Sequence, residues 1–155
     1  MSDKVTIEIN VNKKDIRLNV EPRLLLTDLL RGSLELKGTH IGCDTSQCGS
    51  CMVIIDGICI KSCSILAVQC DKKSIKTIES IGNQNNLSNV QRAFKENHGL
   101  QCGFCTPGFI MTALECKKRN ISTEKEIKDF LDGNFCRCTG YQNIVKSIIS
   151  FLKMP

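Results

Sequence analysis

Three cysteines in the first third of the chain are spaced closely enough to share a metal site. Cys43, Cys48 and Cys51 form a C-x4-C-x2-C pattern, which is the spacing of a plant-type [2Fe–2S] ligand run and requires one further cysteine downstream. Iron bridged by sulfide prefers soft thiolate donors. Gly42 and Gly49 permit a close approach of the backbone, so that N–H groups can donate to the sulfurs and stabilise the negative cluster.

Two later cysteines, Cys59 and Cys63, are candidates for the fourth ligand. The Asp56-Gly57 pair is a strong signal for a two-residue hairpin turn, and a turn there places Cys51 opposite Ser62. In that register Cys63 returns beside the cysteine loop, whereas Cys59 lies about three residues, roughly 10 Å, along the strand from Cys51. An iron–thiolate bond is far shorter than this, so the sequence predicts Cys63 as the fourth ligand.

A second cysteine set lies later in the chain, where Cys102 and Cys105 are followed by Cys136 and Cys138. Each pair precedes a predicted helix, so two helix N-termini should converge on one site, where their dipoles favour thiolate charge. Four cysteines can also bind structural zinc, and spacing alone leaves that alternative open, more so here than at the first site. A thioredoxin-like redox pair is disfavoured because no βαβ pattern surrounds the C-x-x-C.

The other cysteines and both histidines are assigned ordinary structural roles. Cys116 lies in the middle of a predicted helix and is expected to pack in the core, and Cys70 is expected to be a packed free thiol. His40 and His98 each flank a cysteine motif, and solvent-facing or packing roles are expected for both.

The composition disfavours several other classes of protein. The chain has 155 residues, eleven cysteines and a formal net charge of +5, and two oxidised clusters with their thiolates would lower that charge to about +1. No Lys/Arg run is interleaved with aromatic residues, which disfavours nucleic-acid binding. The chain has no GxGxxG loop, phosphate loop or nucleophile–base pair, so substrate chemistry is expected on a partner.

No apolar run is long enough for a membrane span, and the first ten residues contain no signal-peptide core. A cytoplasmic location is therefore expected, where cysteines stay reduced or bind metal. Peripheral attachment to the inner face of the membrane through a complex is the alternative.

The two halves of the chain differ in composition and predict two structural units. All six Phe and the single Tyr lie between Phe94 and Phe151, whereas the first half contains no Phe, Tyr or Trp. A polar stretch at residues 82–86 separates the halves, so we predict domains at residues 1–81 and 82–155. Apolar residues alternate in the first half and recur every three or four positions in the second, which predicts strands and then helices.

The predicted strands lie near residues 5–11, 16–20, 52–60 and 74–78, with one helix near residues 24–30. Four helices are predicted in the second half: over residues 87–98, from an N-cap at Thr106 with Pro107 first in the helix, from a capping box at Thr123 to Gly133, and over residues 144–152.

Three motifs together resemble one protein family. They are HIGC followed by CGSC (residues 40–43 and 48–51), GLQCGFCTPG (residues 99–108) and CRCTGY (residues 136–141). The family is the iron–sulfur subunit of the molybdenum hydroxylases, which include xanthine, aldehyde and carbon monoxide dehydrogenases, and the resemblance covers nearly the whole chain. It implies an α+β fold in which a β-grasp, ferredoxin-like [2Fe–2S] domain is followed by a four-helix-bundle [2Fe–2S] domain.

The resemblance also implies ligands, partners and a function. Matched by position, the first cluster takes Cys43, Cys48, Cys51 and Cys63, and the second takes Cys102, Cys105, Cys136 and Cys138. In the family the helical-domain cluster lies nearer the molybdenum, and the residue matching Gln101 contacts the pterin of the large subunit. Single electrons are then expected to pass from the molybdenum cofactor through the helical-domain cluster and the plant-type cluster to FAD on a medium subunit, in a dimer of heterotrimers.

Among the branches of the family, the segments KSCSILAVQC (residues 61–70) and YQNIV (residues 141–145) look most like small chains of aerobic carbon monoxide dehydrogenase. Small subunits of aldehyde, xanthine or N-heterocycle dehydrogenases are the alternative. A freestanding two-cluster ferredoxin and a zinc-bound interaction module are two further hypotheses.

Overall fold

The computed structural model describes residues 3–155 and contains a strand-rich unit followed by a helical unit. The strands are β1 (Val5–Val11), β2 (Lys14–Val20), β3 (Met52–Ile55), β4 (Ile58–Lys61) and β5 (Ser74–Lys76). The helices are α1 (Leu26–Asp28), continued by a π-helical turn at Leu29–Ser33, then α2 (Asn89–Glu96), α3 (Thr106–Lys118), α4 (Glu124–Phe130) and α5 (Gln142–Leu152). Short 3-10 turns occur at Ser62–Ser64, Ala67–Cys70, Ile78–Ser80 and Leu131–Gly133.

The strand-rich unit is a five-stranded mixed sheet in the order β2-β1-β5-β3-β4. β1 runs parallel to β5, and every other neighbouring pair is antiparallel. Ile7, Ile9 and Val11 are buried because alternate side chains of β1 point to the same face. Leu26 and Leu29 are fully buried in the same core, so the helical segment covers that face of the sheet. The predicted strand pattern and the α+β class are confirmed.

The helix predicted near residues 24–30 begins later than expected. Leu24 and Leu25 stay extended because this segment pairs with residues 65–67: the carbonyl of Leu24 accepts from Ala67 N at 2.7 Å, and Leu26 N donates to Ile65 O at 2.8 Å. Only one α-helical turn and one π-helical turn remain. A tertiary strand contact therefore outweighs the helical spacing of the leucines.

The β3–β4 hairpin has the register that the sequence predicts. Asp56 and Gly57 form its turn with φ of +47° and +83°, which matches a type I′ turn because both central residues have positive φ. Ile54 pairs with Cys59. Beyond the strands, Cys51 O accepts from Ser62 N at 3.2 Å and from Ser62 Oγ at 2.8 Å. The end of β4 is thereby fixed beside the cysteine loop.

The helical unit has a second, separate core to which α2–α5 all contribute. The capping box predicted at Thr123 is present, with Thr123 Oγ1 accepting from Glu126 N at 3.2 Å and Thr123 N donating to a Glu126 carboxylate oxygen at 3.0 Å. Ile78 and Ile81, which the sequence division assigned to the first domain, pack against the helical core, and the boundary at residue 81 stays a prediction. Within residues 3–155, no helix combines the length and apolarity that crossing a membrane requires.

The start of α3 corrects one prediction, because Cys105 rather than Thr106 is the N-cap. Cys105 already has helical backbone angles (φ −83°, ψ −13°), and its carbonyl accepts from Phe109 N at 3.2 Å. Thr106 is therefore inside the first turn, where its buried hydroxyl makes no hydrogen bond within the described residues.

The two units meet where α3 packs against the β3–β4 hairpin and the cysteine loop. Gly108 of α3 faces Gly49, and a Cβ at position 108 would lie 2.1 Å from Gly49 O and 3.0 Å from Ser50 Cα. Gly49 itself has a φ of +66°, a conformation that favours glycine. The contact therefore requires a glycine on each side.

We expect Gly108→Ala to destabilise the protein by about 1–3 kcal/mol, because the added methyl group must push two backbone segments apart. A chain of this size loses roughly 2–4 °C in Tm per kcal/mol, which thermal denaturation followed by circular dichroism would detect. Gly32→Ala is the matched control, since a Cβ at Gly32 meets no atom within 4 Å. Equal Tm values for the two variants would contradict the proposed crowding.

Candidate metal centres

The first cysteine site is built from an irregular loop at residues 43–51 and the turn after β4. The thiols of Cys43 and Cys48 are in contact, and so are those of Cys51 and Cys63. Cys59 lies elsewhere: its thiol contacts Thr112 and is near Glu115, both on α3. The structure therefore brings together the four residues that the sequence selected and leaves Cys59 out.

The first site offers charge stabilisation of two kinds. Cys48 N lies 3.4 Å from Cys43 Sγ, and this N–H, joined by those of Thr45 and Gln47, lowers the pKa of Cys43 to about 6. In addition, Lys61 Nζ donates to the loop carbonyls of Ser46 at 2.8 Å and Gln47 at 3.3 Å. A positive charge is thereby fixed beside the loop.

The second cysteine site is built from the segment before α3 and the segment before α5. Cys102 Sγ lies 3.5 Å from Cys138 Sγ, and the thiols of Cys105 and Cys136 are in contact. Cys102 and Cys138 are exposed, whereas Cys136 is buried. Burial raises the pKa of Cys105 to about 12. All four cysteines that the sequence selected for this site are brought together.

The four thiols of each site lie near one another. Within residues 3–155, no three His, Cys, Asp or Glu side chains surround a point suited to one metal ion. A [2Fe–2S] cluster held by four cysteines takes two thiolates on each iron. The donor chemistry therefore fits a diiron cluster at each site. The four thiols are those of Cys43, Cys48, Cys51 and Cys63 at the first site and those of Cys102, Cys105, Cys136 and Cys138 at the second.

Tyr141 orders the second site, a role that the sequence analysis did not assign. It is the N-cap of α5 with a left-handed backbone (φ 68°), and its hydroxyl oxygen accepts from Cys136 N at 3.0 Å. Its ring meets Phe109 edge-on, with centroids 6.2 Å apart. The sequence analysis used the CRCTGY motif only as evidence of the family resemblance. The signal for the structural role of Tyr141 lies in the same motif, as an aromatic residue three positions after the C-x-C pair.

Hydrogen bonds join the two sites across the interface between the units. Phe135 N, next to Cys136, donates to Cys48 O at 2.8 Å. The buried Asn134 donates from Nδ2 to Gly49 O at 3.3 Å, and its Oδ1 accepts from Thr112 at 3.0 Å. The first cysteine loop is thus bound directly to the segment that carries Cys136.

A histidine makes a second connection between the cysteine loops. The rings of His40 and Phe104 stack with centroids 4.6 Å apart, and His40 Nδ1 lies 2.6 Å from Phe104 O. Phe104 lies between Cys102 and Cys105 in the chain. His40 therefore has a packing role, in which its ring lies against Phe104. His98 is exposed, in the turn after α2.

Three other thiols, those of Cys59, Cys70 and Cys116, lie outside the two cysteine sets. Burial raises the pKa of Cys59 to about 12, that of Cys70 to about 11 and that of Cys116 to about 12. Cys70 and Cys116 are completely buried, as expected for packed thiols.

Comparisons with known proteins agree with two cluster domains. Residues 9–77 match the family described as a 2Fe-2S iron-sulfur cluster binding domain, and residues 77–149 match the [2Fe-2S] binding domain family. The chain is 47% identical to the caffeine dehydrogenase subunit gamma of Pseudomonas sp. (strain CBB1), an alignment covering 93% of this chain and 89% of that one. It is 44% identical to the nicotine 6-hydroxylase small subunit of Paenarthrobacter nicotinovorans, covering 96% and 90%.

A solved structure extends the similarity to three dimensions. The chain superimposes on the quinoline 2-oxidoreductase of Pseudomonas putida 86 with a TM-score of 0.91 and 39% sequence identity, covering 97% of this chain and 95% of that chain.

Proposed function

The chain belongs to the family of iron–sulfur subunits of the molybdenum hydroxylases, and on this premise we propose that it carries single electrons between a molybdenum-binding and an FAD-binding partner subunit. Its two domains are [2Fe–2S] domains, and such clusters supply one-electron redox chemistry when bound. The single observation that carries the proposal is the direct hydrogen bond between the two cysteine segments, from Phe135 N to Cys48 O.

The proposed ligands are the two sets that the structure assembles. Cys43, Cys48, Cys51 and Cys63 hold one cluster, and Cys102, Cys105, Cys136 and Cys138 hold the other. A path from Cys136 to Cys48 can therefore follow the backbone to Phe135 and cross to Cys48 through one hydrogen bond. Every other step of that path is a covalent bond. Two carriers on one small protein joined in this way suit a relay between partners.

The exposed side of the second site is the proposed contact with the molybdenum-binding subunit. Leu100, Phe104 and Phe135 are exposed by 41%, 46% and 53%, and exposed apolar groups beside a functional site favour a protein interface. Gln101, also exposed, is proposed to contact the pterin, as the family resemblance implies. The FAD-binding subunit is proposed to lie nearer the first site, in a dimer of heterotrimers.

We propose an N-heterocyclic compound as the substrate of the complex. The relatives reported above are named for caffeine, nicotine and quinoline, which all contain a nitrogen heterocycle. Carbon monoxide dehydrogenase is the second candidate, favoured by the segments at residues 61–70 and 141–145. The substrate pocket is expected on the partner subunit, because this chain has no catalytic pair of its own.

Purification of the native complex tests the proposed function. We expect the chain to co-purify with two larger subunits, with molybdenum, FAD and about four iron atoms per copy of this chain. The reduced sample should show two distinct electron paramagnetic resonance signals, and oxidation of N-heterocycles should exceed that of carbon monoxide. An iron-containing chain that purifies alone would indicate a freestanding ferredoxin, and a colourless, zinc-containing chain would contradict the proposal altogether.

A further inference from the structure

Thr139 follows the second cysteine pair, and its hydroxyl lies beside one proposed ligand. Thr139 Oγ1 is 3.2 Å from Cys136 Sγ, and the same oxygen accepts from Tyr141 N at 3.2 Å. A hydroxyl has one proton and two acceptor positions. Because the Tyr141 amide occupies an acceptor position, the proton is available to the sulfur.

Ligation fixes the direction of this contact. A metal-bound cysteine is a thiolate without a proton, so the hydrogen bond can only run from Thr139 Oγ1 to Cys136 Sγ.

The surroundings favour a stronger hydrogen bond here than at the hydroxyl–sulfur contacts of the first site. Cys136 is only 6% exposed, and hydrogen bonds strengthen where water is excluded. At the first site, Ser46 Oγ and Ser64 Oγ lie 3.6 Å and 3.9 Å from Cys63 Sγ, which is longer. Thr139 is also held in place by the Tyr141 amide, so its hydroxyl is oriented in advance.

We propose that Thr139 raises the reduction potential of the cluster in the helical unit by donating its hydroxyl proton to Cys136 Sγ. The inference rests on the proposed function, which makes Cys136 a ligand. Reduction adds one negative charge to the site, and a hydrogen bond to a ligand sulfur stabilises the more negative state. Thr139 is therefore a positioning and tuning residue that acts through Cys136.

The test is a potentiometric titration of the purified complex, followed by electron paramagnetic resonance, with Thr139→Val and Thr139→Ser variants. Valine keeps the shape of threonine without the hydroxyl, and serine keeps the hydroxyl. We expect Thr139→Val to make the helical-unit cluster about tenfold harder to reduce, which is a fall of about 59 mV for a one-electron couple. Thr139→Ser should stay near the native potential, and the first cluster should be unchanged in both variants.

Three outcomes would overturn the inference. In the first, the reduction potential of the helical-unit cluster in Thr139→Val equals the native value. In the second, Thr139→Val and Thr139→Ser shift that potential equally, which would mean that side-chain packing and not the hydroxyl sets it. Loss of the helical-unit cluster from both Thr139→Val and Thr139→Ala, with retention in Thr139→Ser, would show that the hydroxyl builds the site and does not tune it. Failure of the proposed function is distinguishable, because the native complex would then lack the second cluster signal.

Discussion

Cys63→Ala is expected to lose the N-terminal cluster, while Cys59→Ala retains it. The two residues are four positions apart, but the hairpin register separates them. Cys63 lies in the turn after β4 with its thiol against Cys51, whereas the Cys59 thiol contacts Thr112 on α3. Removing the Cys63 thiolate leaves one iron of the cluster short of one of its two cysteine ligands, with no other side chain in its place. Removing Cys59 deletes a small, partly buried group that lies against the other unit.

The measurement is the iron content together with the number of cluster signals in the reduced protein. Cys63→Ala should lose about two iron atoms per chain and one of the two signals, and Cys59→Ala should keep both. The helical-unit signal is the internal control in each variant. An intact N-terminal signal in Cys63→Ala would refute the ligand assignment, and loss of that signal in Cys59→Ala alone would show that Cys59 is the ligand.

Iron removal is expected to unfold part of each unit. Units of about 75 residues bury a limited share of their surface, and metal ligation can contribute directly to their folding. Two of the ligand segments, the loop at residues 43–51 and the segment at residues 134–141, contain no helix or strand. Without bound iron these segments lose the iron–thiolate bonds and keep only weaker contacts, such as the hydrogen bonds from Lys61 and to Tyr141. We expect them to open while the cores formed around β1 and by α2–α5 persist in part.

Limited trypsin digestion measures this effect locally. Arg137 is exposed between Cys136 and Cys138, and a bound cluster would hold both flanking residues, so cleavage after Arg137 should be slow in the intact protein and rapid after anaerobic iron removal. Lys13, in the β1–β2 turn and distant in sequence from either cysteine set, is the control and should be cut at similar rates in both forms. A cooperative, native-like melt of the iron-free chain would count against the expectation.

Features that depend on local chemistry were predictable from the sequence. The Asp56-Gly57 pair fixes a turn with positive φ at both positions, so the register of β3 and β4 follows from two residues. The Thr123 capping box is likewise local. Because the register decides which cysteine returns to the loop, the selection of Cys63 required no knowledge of the second unit.

Features that depend on how distant segments meet were not predictable. Leu24 and Leu25 have helical spacing, but pairing with residues 65–67 holds them extended. The Asn134 and Phe135 contacts arise only when the second unit packs against the first, and a single asparagine or phenylalanine carries no signal for such a partner. Thr106 was mistaken for an N-cap because the pattern before Pro107 does not show that Cys105 already has helical backbone angles.

The hydrogen bond between Phe135 and Cys48 also supplies a natural probe of contact between the units. The phenylalanine side chain is exposed by 53%, yet its amide proton is bound to a carbonyl of the other unit, so exchange with deuterium requires that bond to open. Mass spectrometry of peptides containing Phe135 should therefore report how often the halves separate. Slow exchange there, beside faster exchange at neighbouring turns, would mean that the spacing of the two redox centres is maintained between turnovers.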